Sequence, residues 1–584
     1  MRLHNVEDIY PANYMQQLML LHVYSSPESD VLCERFSCNL TGAVDEHSFL
    51  RAWQDVVNRH SSLRTVFLWE GLEKPLQIVR SQAELPWRKV DLRHLTPQAQ
   101  EREIDAYSAS ITVVRPEQAP MMRVTLFQTG DTDYRLFWHY HHLILDGWCN
   151  SLILTEVFER YEAYRQGIAL SLAPAKPYSS YMSWLLKQDM KQAEYFWKQY
   201  LNDFREPVSL PLARYDSSLP SDYGEVSITI NEILTEQLLG AARRGQITLN
   251  TMTQCAWALL LGYYANSSDV VFGAAVSGRP SELQEVETMI GLFINNLPIR
   301  IQWTADSLLL NVLKDAHISQ MEIKEYEHCP LSLIQDGCSY SSGSRLFNSL
   351  IVFENYPVSE ALEERLGNDV RVSDIADNLK TSYPMTVVVV PGAQLTIRLI
   401  YQTQYYDQRQ AAEVLGCLND ILRHMTLEPQ STVAHMFGLQ HVFPESPVAV
   451  PSSEEKSDLF TADDDYYYPN HTVGRQIERL WKELMGTRMG IRDNFFEGGA
   501  HSISLFTMHS RLESELNIRF PIVEMFKQPT IESLSIFLER IVSSEPSPIM
   551  ELSKAARGVE RGQKQREAMA KRRQPVGTDR KRGH

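Results

Sequence analysis

With 584 residues, 43% hydrophobic and 22% charged, the chain has the composition of a soluble globular protein and the length of about two to four domains. Its net charge of −17 is uneven: residues 551–584 hold eleven Lys and Arg against four Asp and Glu (+7), so the other 550 stand at −24, which argues against nucleic acid as the main partner. The seven cysteines (Cys33, Cys38, Cys149, Cys255, Cys329, Cys338, Cys417) form no Cys-x-x-Cys pair, the opening "MRLHNVEDIY" lacks a signal-peptide core and no run nears the ~20 apolar residues of a membrane span, so a cytoplasmic protein without zinc or disulfides is expected.

In chain order, "EHSFLRAWQDVVNRH" (46–60) carries apolar residues at helical spacing, and "YRLFWHYHH" (134–142) predicts a strand rich in aromatics. "SLILTEVFERYEAYRQG" (151–167) predicts an amphipathic helix, with Asn150 or Ser151 as its cap and Gly167 as its stop. Strands follow at "DVVFGAAVS" (269–277), "SLIVFEN" (349–355) and "MTVVVV" (385–390). The mixture predicts an α/β body over 1–440 in two lobes, about 1–175 and 176–440.

Residues 441–467, proline- and serine-rich and then acidic, have the composition of a linker. From 468 to 541 the pattern is purely helical, in "GRQIERLWKELMG", "SISLFTMHSRLESELN" and "TIESLSIFLERIV", which predicts a small all-α domain. The basic tail, 542–584, has little apolar content and is expected to be either disordered or a docking arm for an acidic partner.

Two short stretches carry chemistry. In "FWHYHHLILDGWCNS" (137–151), His141 and His142 precede Asp146 and Gly147. Histidine titrates near neutral pH, so a pair beside a carboxylate points to proton transfer or metal binding. Adjacent strand residues face opposite ways, so one histidine enters a cleft while the other is held inside. Asp146 is either a base or the partner of a buried arginine, and Gly147 permits close backbone approach. No third ligand stands at metal-site spacing. In "DNFFEGGAHSISLF" (493–506), Ser502 begins a predicted helix, where a cap or a phosphate is favoured.

The His-His-x3-Asp-Gly pattern resembles the signature of the condensation domains of nonribosomal peptide synthetases, whose fold is related to chloramphenicol acetyltransferase. Other family motifs follow the same order: "VEDIYPANYMQQLMLLH" (6–22), "RHSSLRTVF" (59–67), "VVFGAAVSGRP" (270–280), "MIGLFINNLPIR" (289–300), "YEHCPLSLIQ" (326–335) and "LFNSLIVFENYP" (346–357). The resemblance implies amide formation in a tunnel between two lobes, where an acceptor amine attacks a donor acyl thioester. It implies that His142 faces the tunnel, either taking the amine proton or orienting the amine and the tetrahedral intermediate, with His141 in support. It gives Gly147 N–H to the oxyanion and makes Asp146 structural, paired with Arg279, or with Arg59 or Arg64. Epimerization domains differ at "IGLFINNLP", and cyclization domains lack the histidine pair. The opening "YPxxxMQ" resembles the subgroup accepting a D-configured donor end, although "PANY" stands where that subgroup reads Pro-Leu-Ser-Pro.

The second stretch resembles the attachment site of peptidyl carrier proteins, with Gly-Gly-Ala in place of Leu-Gly-Gly. This implies a four-helix carrier domain bearing 4′-phosphopantetheine on Ser502, installed by a phosphopantetheinyl transferase. No adenylation domain stands between the two regions, so the implied partners are a separate adenylation enzyme, an upstream donor carrier and a downstream synthetase subunit, which would dock on the basic tail. Two other readings stay open: a free small-molecule amine or alcohol as acceptor, and a catalytically silent scaffold presenting the carrier.

Overall fold

Strand β7 (Asp133–His141) is buried at nearly every position because it runs through the middle of a sheet covered on both faces. Leu136, Trp138 and Tyr140 pack with Phe49, Trp53, Val157 and Phe158 of helices Glu46–Arg59 and Gly147–Gln166. Phe137 packs instead with Ile104 and Tyr107 of helix Pro97–Ser110. The computed structural model describes residues 5–439 and 472–543, except 27–28, 70–71, 111–114, 209, 211–221, 338–344, 355–369, 377–378, 487 and 496–501. At 109, 472, 502, 503, 506 and 543 it describes the backbone alone. The expected linker at 441–467, the tail beyond 543 and Cys338 lie outside the described residues.

The first lobe is built on a five-stranded sheet in the order β12 (Val370–Ala376), β2 (Cys33–Gly42), β7, β6 (Met122–Gln128), β5 (Trp87–Asp91). Beside it lies a three-stranded sheet, β1 (Val6–Pro11), β4 (Leu76–Arg80), β3 (Thr65–Leu68). The second lobe holds a six-stranded sheet in the order β10 (Asn295–Gln302), β9 (Asp269–Val276), β11 (Ser349–Phe353), β13 (Met385–Val390), β14 (Leu395–Gln402), β8 (Tyr223–Ile230). Its centre, β9, β11 and β13, is parallel and its flanks antiparallel. Helix Leu249–Ala265, apolar nearly all round, is buried with these strands in one core.

The two lobes are not two consecutive stretches of chain. β12 lies in the second half of the sequence yet pairs antiparallel with β2, Val372 opposite Leu40, and completes the first lobe's sheet. A division near residue 175 therefore leaves one strand of the first lobe on the wrong side.

The predicted helix 151–167 begins earlier, at Gly147, with Asp146 rather than Asn150 or Ser151 in the cap position. The reason is tertiary: the Asp146 side chain caps no backbone N–H of its own helix and accepts backbone N–H groups of the other lobe instead. Gly167 ends the helix in the left-handed region at φ 68°.

The C-terminal unit has helices Thr472–Met485, Ser502–Leu516, Glu524–Lys527 and Ile531–Ser543 around Ile477, Trp481, Phe495, Leu512 and Leu534. Leu21, from helix Tyr14–Ser25 of the first lobe, joins that core, and Tyr24 meets Phe526 edge-on at 6.0 Å. Helix Leu331–Gly337 of the second lobe packs against helix Ser502–Leu516. No helix among the described residues is long and apolar enough to cross a membrane.

Candidate active site

A cavity of about 1390 Å³ opens between the lobes. Its walls include Met19, Glu34, Tyr140, His142 and Gly147 from the first lobe, Asn296 and Leu350 from the second, and Phe526 from the C-terminal unit.

The histidines part as strand alternation requires. His141 is fully buried, and its Nδ1 accepts the Leu143 N–H at 3.1 Å. Burial, helped by His142 and His22, pushes its pKa down to about 3, so it is neutral at physiological pH. His142 lines the cavity with its side chain 15% exposed, and its Nδ1 lies 3.1 Å from Leu145 O. Its Nε2 lies 3.3 Å from Oε1 of Glu34, a buried carboxylate on β2. That distance makes an ion pair, but the geometry is off line for a hydrogen bond. Burial works to lower the His142 pKa; the Glu34 carboxylate, the Leu145 carbonyl and Asp146 outweigh it and raise the pKa above the ordinary histidine value.

Between His142 and Asp146 each backbone carbonyl has a partner. Gln16 Nε2 donates to Leu143 O at 2.9 Å, Ser62 Oγ donates to Ile144 O, and His142 occupies Leu145 O. Gly147 follows as the first residue of a helix, so its N–H has no acceptor within the helix, and the residue borders the cavity.

Asp146 faces away from the cavity. Its Oδ2 accepts the Phe293 N–H at 2.9 Å and the Ile294 N–H at 3.3 Å, while Oδ1 lies 3.3 Å from Arg279 Nη2 and from Cys149 Sγ. Arg279 also donates to Val286 O and Met289 O and lies over the Phe293 ring. The other two arginines are engaged elsewhere, Arg59 with Glu156 and Arg64 with Glu7. Gly278, before Arg279, has φ 60°, and a Cβ there would stand 1.9 Å from Phe293 O. Only glycine brings the arginine in so close.

The opening motif also serves this loop. Asn13 and Gln16 cap helix Tyr14–Ser25 reciprocally, at 2.7 and 2.8 Å. Asn13 Nδ2 then reaches Leu292 O in the other lobe at 2.9 Å. Asn295 donates to Glu327 O and Cys329 O, joining two further motifs. Neither Glu34 nor Cys149 belongs to the residues expected from the sequence.

Ser502 is the first residue of a fifteen-residue helix, where unpaired N–H groups and the helix dipole favour a phosphate. Its side chain, and residues 496–501 of the attachment loop, lie outside what is described.

A family model described as "Condensation domain" matches residues 6–443. The chain belongs to the condensation-domain family. A second model, "Phosphopantetheine attachment site", matches residues 475–538, so the helical unit is a carrier domain whose 4′-phosphopantetheine is held covalently by a serine. Two polypeptides of the linear gramicidin synthase of Brevibacillus parabrevis are each 38% identical to it, one over 433 residues and the other over 439. Each match covers 73% of this chain, but only 6% of the first polypeptide and 9% of the second. The chain thus spans less than a tenth of the length of these relatives. The condensation domain from monacolin K polyketide synthase MokA overlays with a TM-score of 0.64 at 15% identity, over 74% of this chain and 100% of that one, a likeness in fold.

Replacing Asp146 leaves a buried guanidinium without its carboxylate, at a cost of about 3–5 kcal/mol. Asp146→Ala should therefore unfold at a lower temperature than the parent protein, as read by calorimetry. An unchanged unfolding temperature, with activity lost, would assign Asp146 to the chemistry instead.

Proposed function

We propose that this chain condenses a donor acyl thioester with an amine, forming an amide beside His142, and that its own carrier domain holds the acceptor at Ser502. The observation that supports this most is where the carrier packs. Phe526 belongs to the carrier core and also to the wall of the cavity that His142 lines. A carrier held at that mouth delivers its cargo at high effective concentration.

When bound at Ser502, 4′-phosphopantetheine supplies a flexible arm ending in a thiol that carries an acyl or aminoacyl group as a thioester. The protein's own residues do the rest. His142 orients the amine and the polar groups of the reacting centre, and Gly147 N–H faces the oxygen that gains charge, which is the requirement for oxyanion stabilisation. Asp146 holds the loop that carries both.

The two family matches are separated by residues 444–474, thirty-one in all, too few for an adenylation domain. We therefore place amino-acid loading of Ser502 with an adenylation enzyme acting in trans, after a phosphopantetheinyl transferase has installed the arm. An upstream carrier supplies the donor. A reducing, cytoplasmic setting accords with the six free cysteines among the described residues.

Mass spectrometry and turnover assays check this reading. Intact-protein mass spectrometry after treatment with coenzyme A and a phosphopantetheinyl transferase should show one phosphopantetheine, absent in Ser502→Ala. With ATP, an adenylation enzyme and a loaded donor carrier, the mass on Ser502 should grow by the amino acid and then by the donor acyl group. If Ser502 stays unloaded while a soluble amine or alcohol is acylated, the free-acceptor reading replaces this one, and no turnover at all with a loaded donor and either acceptor leaves the scaffold.

His142→Ala should lose about 10²–10⁴ in condensation rate with its fold intact; a loss below threefold refutes its role. Tyr24→Ala should keep phosphopantetheine attachment and slow acyl transfer to the tethered carrier. Unchanged transfer kinetics would detach the packing at Tyr24 and Phe526 from function.

A further inference from the structure

In the antiparallel pair of β2 and β7, Glu34 stands opposite Tyr140 and His142 N–H bonds to Leu32 O. Residues opposite one another share a face, and diagonal neighbours on it lie within reach of long side chains. Glu34 therefore shares the cavity face with Tyr140 and His142 and reaches the His142 ring from the neighbouring strand.

The hydrogen on this ring follows from its neighbours. A backbone carbonyl only accepts, so Nδ1, 3.1 Å from Leu145 O, carries a hydrogen. Nε2 then faces a carboxylate oxygen at 3.3 Å. If Nε2 bore a lone pair, two acceptors would oppose each other in a pocket where Glu34 is 8% exposed and its Oε1 meets no other donor among the described residues. A proton on Nε2 removes that conflict.

We propose that Glu34 is the positioning residue of His142: its buried carboxylate, in ion-pair contact with Nε2, holds His142 as an imidazolium with a hydrogen on each ring nitrogen. This rests on the condensation reading for its consequence, though not for its test. It chooses between the two roles that the family resemblance leaves open. An imidazolium has no lone pair for the amine's proton, which ends on the donor's thiolate as the thioester C–S bond breaks, so His142 meets the substrate as a donor and a positive charge. The off-line contact with Glu34 leaves its Nε2–H available to a second acceptor, the substrate oxygen.

The other groups around this ring are compatible with that charge. Asp146, behind the loop, favours it, whereas His141, next to it on β7, is neutral. His22, on helix Tyr14–Ser25, has its pKa lowered by burial and adds little positive charge near neutral pH. Across the cavity, Glu354 and Arg398 of the second lobe oppose each other in sign.

The test compares the full-length protein with Glu34→Gln, which keeps the shape and removes the charge. Nitrogen NMR of histidine-labelled protein reads the His142 ring directly, its signal assigned by loss in His142→Gln. In the parent the ring should be doubly protonated at pH 7, and in Glu34→Gln its titration should fall by at least one pH unit. The basic limb of the kcat profile should fall with it. A parent ring with a bare Nε2 at pH 7, or a titration that Glu34→Gln leaves in place, overturns the proposal. If Glu34→Gln does not fold, the parent titration decides, with Glu34→Asp expected to keep part of the elevation. The ring titration needs no substrate. An imidazolium in a protein that makes no amide would refute the condensation reading and leave the ion pair standing.

Discussion

Asp146 is the constraint on which the site depends. Its carboxylate is buried at the seam of the lobes, where it accepts two backbone N–H groups and meets a guanidinium, all three from the second lobe. A buried charge is tolerable only with its bonds made, so the second lobe must be seated for the first lobe's loop to hold its shape. That loop carries Leu145, whose carbonyl fixes Nδ1 of His142. The His142 ring is thus oriented indirectly by contacts on the far side of its own loop. The helix starting at Gly147 gives up a side-chain cap for this arrangement, since its cap residue is engaged across the seam.

Around that carboxylate the remaining ties converge on one stretch, residues 286–294. Asn13 and Tyr178 both bond Leu292 O, Trp148 donates to Glu287 O, and Arg279 donates to Val286 and Met289. The second connection lies some way off, where β12 enters the first lobe's sheet and Lys380, just after it, bridges Asp30. Motifs far apart in the chain are therefore parts of one hydrogen-bonded joint rather than separate reactive groups. The carrier adds a third body through its apolar seam with Leu21 and Tyr24.

Much of this was legible in the sequence where local pattern suffices. Aromatic runs marked β7, helical periodicity marked the carrier, and alternation separated His141 from His142. The choice of Arg279 over Arg59 and Arg64 was not legible from spacing, because each of the others has a carboxylate partner that only folding reveals. Glu34 was missed for the same reason: strand register brings it to His142, and nothing local in "VLCERFS" marks it. β12 escaped because its pairing crosses between lobes, and the helix start was misjudged because a tertiary bond displaced the local cap signal.

The location of Asp146 has a mechanical corollary. The seam at Asp146 and strand β12, with Lys380 bridging Asp30 just after it, hold the two lobes at separate places. A body held at two separate places cannot turn freely about either, so the wall that His142 shares with the second lobe is braced at both.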